Sequence, residues 1–207
     1  MKNILLTGVG GQGTVLAAKV LAQAAQAKGW HVRTAETIGM AQRGGCVTSH
    51  IRMGDLGEEV HAPLLVKGTA DLIVAFEPAE AARTLPYLAP GGLLVTASTG
   101  IQPVTSALSK QAYDPTAILT ELREKVPGVV IVDDAALCAA VGSRKALNTV
   151  LLATAVATGE QTGTGLAGAV TIEDVKAAVA ACVKERFVDM NLQAIDAAVG
   201  ALQGREG

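Results

Sequence analysis

The first thirteen residues constrain the fold more than any other stretch of the chain. Ile4 to Thr7 is a short apolar run of the kind that forms a strand buried in a parallel sheet. It leads directly into Gly8-Val9-Gly10-Gly11-Gln12-Gly13. Gln12 to Lys28 follows as a helix rich in Ala and Leu, with an expected apolar stripe of Val15, Leu16, Val20 and Leu21 and Gly29 as its stop. A strand that turns at glycine straight into a helix is the opening corner of a layered α/β domain. Glycines permit the tight turn and a close backbone approach. The free N–H groups and the positive end of the helix dipole attract an anion. Gly8, Gly10, Gly11, Gln12 and Gly13 are therefore candidate cofactor-binding residues. The competing explanation is that the glycines only fit the corner. A dinucleotide site would also want an acid about 20 residues on, after the second strand. Glu36 stands roughly there, but Arg33 and Glu36 do not settle a ribose contact.

The rest of the chain keeps alternating between the two element types. Strands are expected at His31–Glu36, Val47–Arg52, Asp71–Phe76, Leu93–Ala97 and Val129–Val132. Helices are expected at Pro78–Leu88, Pro115–Lys125, from Asp133-Asp134 onward, at Lys145–Thr158, at Thr171–Val183 behind a Thr171/Asp174 cap signal, and at Glu185–Leu202. Val47–Arg52 alternates as a strand with one wetter face, and Glu58–His61 would pair with it across the Gly54–Gly57 turn. Pro90-Gly91-Gly92 reads as a turn, and Thr99–Asp114 and Gly159–Gly168 as loops. The expected class is a Rossmann-like three-layer α/β/α fold with a mainly parallel sheet. Residues 1–207 are expected to form a single domain, since no repeat or linker interrupts the pattern.

A second glycine cluster, Ile38 to Gly45, follows the second strand. It sets Gln42 and Arg43 against Gly44-Gly45, and an Arg on a close-approach backbone suits a carboxylate or phosphate. A solvated loop Arg with turn glycines is the bland alternative. His50 and Arg52 share a strand face and either join this site or simply make that face polar. Catalytic equipment is sparse. Ser49 and His50 point to opposite faces of a strand, Ser98 has no sequence-visible partner, and Asp133-Asp134 suit a helix cap better than acid–base work. His31 and His61 suit surface or structural roles. The Gly163–Gly168 loop lacks the Lys of a triphosphate-binding loop.

Composition narrows the classes further. The 207 residues are 50% hydrophobic and 17% charged with a net charge of -2, which argues against disorder and gives no footprint for nucleic acid or an anionic membrane surface. Cys46, Cys138 and Cys182 are far apart and form no C-x-x-C pair, so neither a metal cluster nor a disulfide framework is expected. No apolar run approaches the roughly 18 residues of a membrane span, and Met1–Leu6 reads as a strand rather than a leader, so a cytoplasmic location is expected.

Taken together, Gly8-Val9-Gly10-Gly11-Gln12-Gly13 and Gly39-Met40-Ala41-Gln42-Arg43-Gly44-Gly45 resemble the gamma-type subunit or domain of the 2-oxoacid:ferredoxin oxidoreductases. The second motif, with Val47-Thr48-Ser49-His50-Ile51-Arg52 after it, looks most like the small (beta) subunit branch acting on indolepyruvate. Ala70–Ala81, Gly91-Gly92, Arg144 with Asn148, and Asn191–Ile195 extend the likeness over nearly the whole chain. The resemblance implies coenzyme A-dependent oxidative decarboxylation of a 2-oxoacid, with electrons passed to ferredoxin. It implies a larger alpha subunit carrying thiamine diphosphate and iron–sulfur clusters, with no cofactor held by this chain itself, since it has no Gly-Asp-Gly thiamine motif and no clustered cysteines. Gln42, Arg43, Gly44 and Gly45 would then face substrate or partner. A gamma subunit for pyruvate or 2-oxoglutarate, a free-standing NAD-binding protein, and a subunit whose glycine loops only pack are the alternatives.

Overall fold

The computed structural model describes residues 1–39, 45–55, 57–102 and 113–204. Six strands, β1 (Lys2–Val9), β2 (His31–Ile38), β3 (Cys46–Gly54), β4 (Ala70–Ala75), β5 (Leu88–Ala97) and β6 (Val130–Val132), form one sheet in the order β2-β3-β1-β4-β5-β6. β1, β4, β5 and β6 are mutually parallel, while β3 runs antiparallel to both β1 and β2. β2 therefore points the same way as β1, and the expected α/β class with a mainly parallel sheet is the one observed. The helices are α1 (Thr14–Ala27), α2 (Pro78–Thr84), α3 (Pro115–Lys125), α4 (Asp134–Val141), α5 (Leu147–Thr162), α6 (Ile172–Cys182) and α7 (Val188–Gln203).

Strand alternation divides the core into two layers. Ile4, Leu6, Leu72, Val74, Leu93 and Val95 pack with α1, α5, α6 and α7, while Leu5, Ile73, Ala75 and Leu94 pack with α2 and α3. With both faces covered, β1 and β4 have no reason to carry polar residues, which is why they read as continuous apolar runs. α5 is buried on every side from Leu147 to Gly159 because it lies inside the thicker layer, against the sheet, α6 and α7.

Several expected boundaries move for identifiable reasons. Glu58–His61 is not a strand. β3 is flanked by β1 on one side and β2 on the other, so it has no free edge for a third partner. Residue 56 of the expected turn lies outside the described residues, as do residues 103–112 of the expected Thr99–Asp114 loop. The helix begun at Pro78 stops at Thr84, where Pro86 converts its end to a 3-10 turn. Pro90-Gly91-Gly92 lies within β5 as a bulge: Ala70 pairs with Leu88 but Leu72 pairs with Leu93. A Cβ at Gly92 would come within 2.6 Å of the Ala70 carbonyl oxygen, so glycine is needed at that close approach. α1 begins at Thr14, and its buried side is Ala17, Ala18, Val20, Leu21, Ala24 and Ala25; Val15 is 48% exposed and does not belong to the stripe.

Candidate functional site

The loop after β1 lies at the carboxyl edge of the sheet, where β2, β4, β5 and β6 also end and β3 begins. Its residues divide into two groups. Gly8, Gln12 and Gly13 are set by packing. A Cβ on Gly8 would stand 2.8 Å from Gln12 Oε1 and 3.0 Å from Phe76 Cβ. The Gln12 amide braces two strand ends: its Oε1 accepts the Val9 N–H (2.7 Å) and its Nε2 donates to the Phe76 carbonyl (2.7 Å). Gly13 starts α1 at φ 87, and a Cβ there would meet the Asn148 amide at 3.1 Å. Gly10 and Gly11 face outward. Gly11 has φ +96, and among the described residues nothing lies within 4 Å of where its Cβ would be. No side chain caps α1 and its first turn holds no acid, so the positive end of the helix is left open beside them.

The second glycine cluster reaches the first through β3. The Gly10 N–H donates to the Gly45 carbonyl (2.9 Å), and the Gly39 N–H donates to the Cys46 carbonyl (2.8 Å) at the base of the β2–β3 hairpin. Gly45 thus joins Gly8, Gly10, Gly11, Gln12 and Gly13 in one place. Gln42, Arg43 and Gly44 lie outside the described residues. β2, which leads into the second loop, is not the neighbour of β1, because β3 lies between them. That insertion has a chemical consequence. In a dinucleotide fold the second strand lies beside the first and its terminal acid reaches the ribose. Here β2 is two strand spacings, about 10 Å, from β1, and Glu36 is exposed on it. Glu36 is not placed for a ribose over the glycine loop.

Three further polar groups sit along the same edge. Asp134 is 0% exposed. Its Oδ1 accepts from the Ser98 N–H (3.0 Å), the Ser98 hydroxyl (3.2 Å) and the Thr99 N–H (2.9 Å), while Oδ2 accepts from Arg144 (2.8 Å). It locks the end of β5 to the start of α4, and its neighbour Asp133 is the N-cap, as expected of that pair. Glu77, buried at the end of β4, caps α2 through the Glu80 N–H (3.0 Å) and accepts the Tyr113 hydroxyl. Burial, then the hydrogen bond to Glu77, pushes the Tyr113 phenol up. Burial also pushes the Glu80 carboxyl up against the pull of Arg83. Asn148, buried in the first turn of α5, is the third.

His50 and Arg52 belong elsewhere. His50 is buried in mid-sheet, where its Nδ1 accepts the Leu65 N–H (3.3 Å) and its ring meets Tyr87 edge-on; burial lowers its pKa. Arg52 pairs across from Asn3 at the opposite edge and donates to Asn3 Oδ1 and the Ala62 carbonyl. They form the polar face, not the site. His31 and His61 line a polar pocket of ≈ 450 Å³ with Trp30, Arg33 and Glu59 at the start of β2, away from both glycine loops. The cysteines stand on three separate elements, at the start of β3, in α4 and at the end of α6. Among the described residues no group of three or more His, Cys, Asp or Glu side chains is placed to hold a metal ion.

The carboxyl edge therefore offers backbone donors, an uncapped helix end and an amide, which is equipment for holding an oxygen-rich anionic group. The class of fold is an α/β scaffold with a glycine corner bonded to a reversed-strand hairpin. The chain belongs to the pyruvate ferredoxin/flavodoxin oxidoreductase family, whose pattern matches residues 3–201. It is 36% identical over 198 residues to the indolepyruvate oxidoreductase subunit IorB of Archaeoglobus fulgidus, a match covering 93% of this chain and 91% of that one. Its fold is similar to that of the keto/oxoacid ferredoxin oxidoreductase gamma subunit of Geobacter sulfurreducens, with TM-score 0.69, 24% identity and 97% of each chain covered. The 2-oxoglutarate:ferredoxin oxidoreductase of Magnetococcus marinus, solved with 2-oxoglutarate, coenzyme A and succinyl-CoA bound, contains the same fold. There the TM-score is 0.66 at 19% identity, with 97% of this chain matching 31% of that one.

Proposed function

We propose that the chain is the small subunit of a cytoplasmic, indolepyruvate-type ferredoxin oxidoreductase, with residues 1–207 acting as one gamma-type domain. The complex converts an arylpyruvate and coenzyme A to the aryl-acetyl-CoA and carbon dioxide, and the electrons released reduce ferredoxin. The larger alpha subunit would hold the thiamine diphosphate and the iron–sulfur clusters, which would supply the electron-sink and electron-transfer chemistry. This chain's sequence has neither a Gly-Asp-Gly thiamine motif nor a C-x-x-C pair, in keeping with that division. Its own task is to hold an anionic group of coenzyme A or of the 2-oxoacid with Gly10, Gly11 and the Gln42–Gly45 loop.

The observation that carries this reading is the Gly10–Gly45 hydrogen bond, which brings the two glycine motifs together beside the open end of α1. Exposed apolar side chains at the same edge support a partner seated there. Val15 opens α1, Ile38 (67% exposed) ends β2, and Ile101 (39% exposed) follows β5. The NAD-binding alternative is disfavoured by the position of Glu36 two strands from the glycine loop.

In the complex reconstituted with its alpha subunit, Arg43→Ala should raise the KM for coenzyme A or for indolepyruvate about tenfold, the loss expected for one charge-assisted hydrogen bond. Steady-state kinetics check this, and unchanged constants for both substrates would contradict the assignment of that loop.

A further inference from the structure

We infer that Asn148 is a ligand-binding residue of the glycine-loop site, its side-chain amide donating a hydrogen bond to an anionic oxygen held at the start of α1. The inference rests on the proposed role of that loop. Asn148 is the second residue of α5 and is only 4% exposed, yet its amide makes no hydrogen bond among the described residues. Buried amides are normally spent. Asn191, buried to a similar degree on α7, is spent fully: its Nδ2 donates to the Phe187 carbonyl (2.7 Å) and its Oδ1 accepts the Thr149 hydroxyl. Shape alone at position 148 would be served by Leu, without the cost of stripping water from an amide.

The position of the idle amide gives it a use. Its Cγ and Nδ2 both lie 3.1 Å from where a Gly13 Cβ would be, so it covers the turn from which α1 starts. That turn carries the uncapped helix end and adjoins Gly11, whose outer side is open. The unpartnered side-chain oxygens that are wholly sealed among the described residues belong to Ser49, Glu80 and Thr158. The Asn148 amide is not among them, so its atoms are not wholly sealed from solvent. A backbone nest at a helix start binds an oxyanion, and a neutral amide adds a directed donor without neutralising its charge. The oxygen belongs either to a phosphate of coenzyme A or to the carboxylate of the 2-oxoacid.

The test uses the reconstituted complex with Asn148→Leu, which keeps the size and removes the donor, Asn148→Asp, which keeps the shape and adds a negative charge, and Gly11→Val as a variant of the loop itself. Complexes are matched by co-elution and melting temperature. The Kd for coenzyme A is measured by calorimetry and the KM for indolepyruvate by steady-state kinetics. Asn148→Leu should raise one of the two constants about tenfold, and Asn148→Asp should raise the same constant further, because like charges then meet. The constant that moves names the source of the oxygen. If Gly11→Val raises a constant while both Asn148 variants match the wild type, the Asn148 assignment is overturned and the loop reading stands. If Gly11→Val also moves neither constant, the loop reading fails and the Asn148 assignment falls with it.

Discussion

Asp134→Ala should lower the unfolding free energy by about 3 kcal/mol, a sizeable part of the roughly 5–15 kcal/mol that holds a domain together. The carboxylate is fully buried and serves four donors: two backbone N–H groups, the Ser98 hydroxyl and the Arg144 guanidinium. The Arg144 side chain is 53% exposed, so water compensates much of that ion pair when it is broken. The larger loss lies at the Thr99 N–H and the Ser98 hydroxyl, which lose this acceptor at the end of β5, while the Ser98 N–H keeps the Val132 carbonyl (2.9 Å). For a chain of this length the melting temperature should fall by roughly 6–12 °C. Asp134→Asn should lose about half as much, because one oxygen can still accept from Ser98 and Thr99 while its NH₂ faces Arg144. Thermal and denaturant unfolding of the isolated chain check both values. An alanine variant as stable as wild type would mean that the end of β5 finds other partners.

The second large effect is expected at Gly11. Gly11→Val should reduce turnover of the assembled complex about a hundredfold or more, because misplacing bound groups by an ångström costs that much. The same change should cost the fold only about 1–2 kcal/mol, the ordinary cost of a left-handed conformation for an L-residue. The two consequences separate because Gly11 has φ +96 but, among the described residues, no neighbour within 4 Å of an added Cβ. The valine side chain would project into the open space over the helix end and leave the core untouched. Gly8 makes the contrast: a Cβ there meets Gln12 and Phe76, so substitution should damage folding directly. Co-elution with the alpha subunit, the melting temperature and the rate of ferredoxin reduction, measured on one preparation, distinguish these outcomes. Full turnover in an assembled Gly11→Val complex would leave the loop with a packing role only.

What was legible in the sequence was local. The strand–glycine–helix corner at Gly8–Gly13 announces itself because turn, dipole and close approach all act within a dozen residues. The Thr171/Asp174 capping box is present in both directions, since both partners lie within one turn. Long-range pairing was not legible. Nothing near Val47–Arg52 says that this strand inserts between β1 and β2 in reverse, yet that insertion delivers Gly45 to Gly10 and carries Glu36 away from the loop. Gln12 looked like a ligand-facing residue of the motif. Its amide is engaged with Phe76, 64 residues away, a contact that only the β1–β4 pairing creates. Asp134 looked like a cap because a cap is what two acids at a helix start usually provide. Asp133 takes that role, and Asp134 turns inward to a strand end 36 residues earlier.

The central claim is that this chain is a required subunit of a 2-oxoacid:ferredoxin oxidoreductase, holding an anionic substrate group rather than a redox centre. Its most direct test is ferredoxin reduction by the alpha subunit with indolepyruvate and coenzyme A, measured with and without this chain. Reduction should depend on adding the chain and should require coenzyme A. Full coenzyme A-dependent reduction by the alpha subunit alone would contradict it.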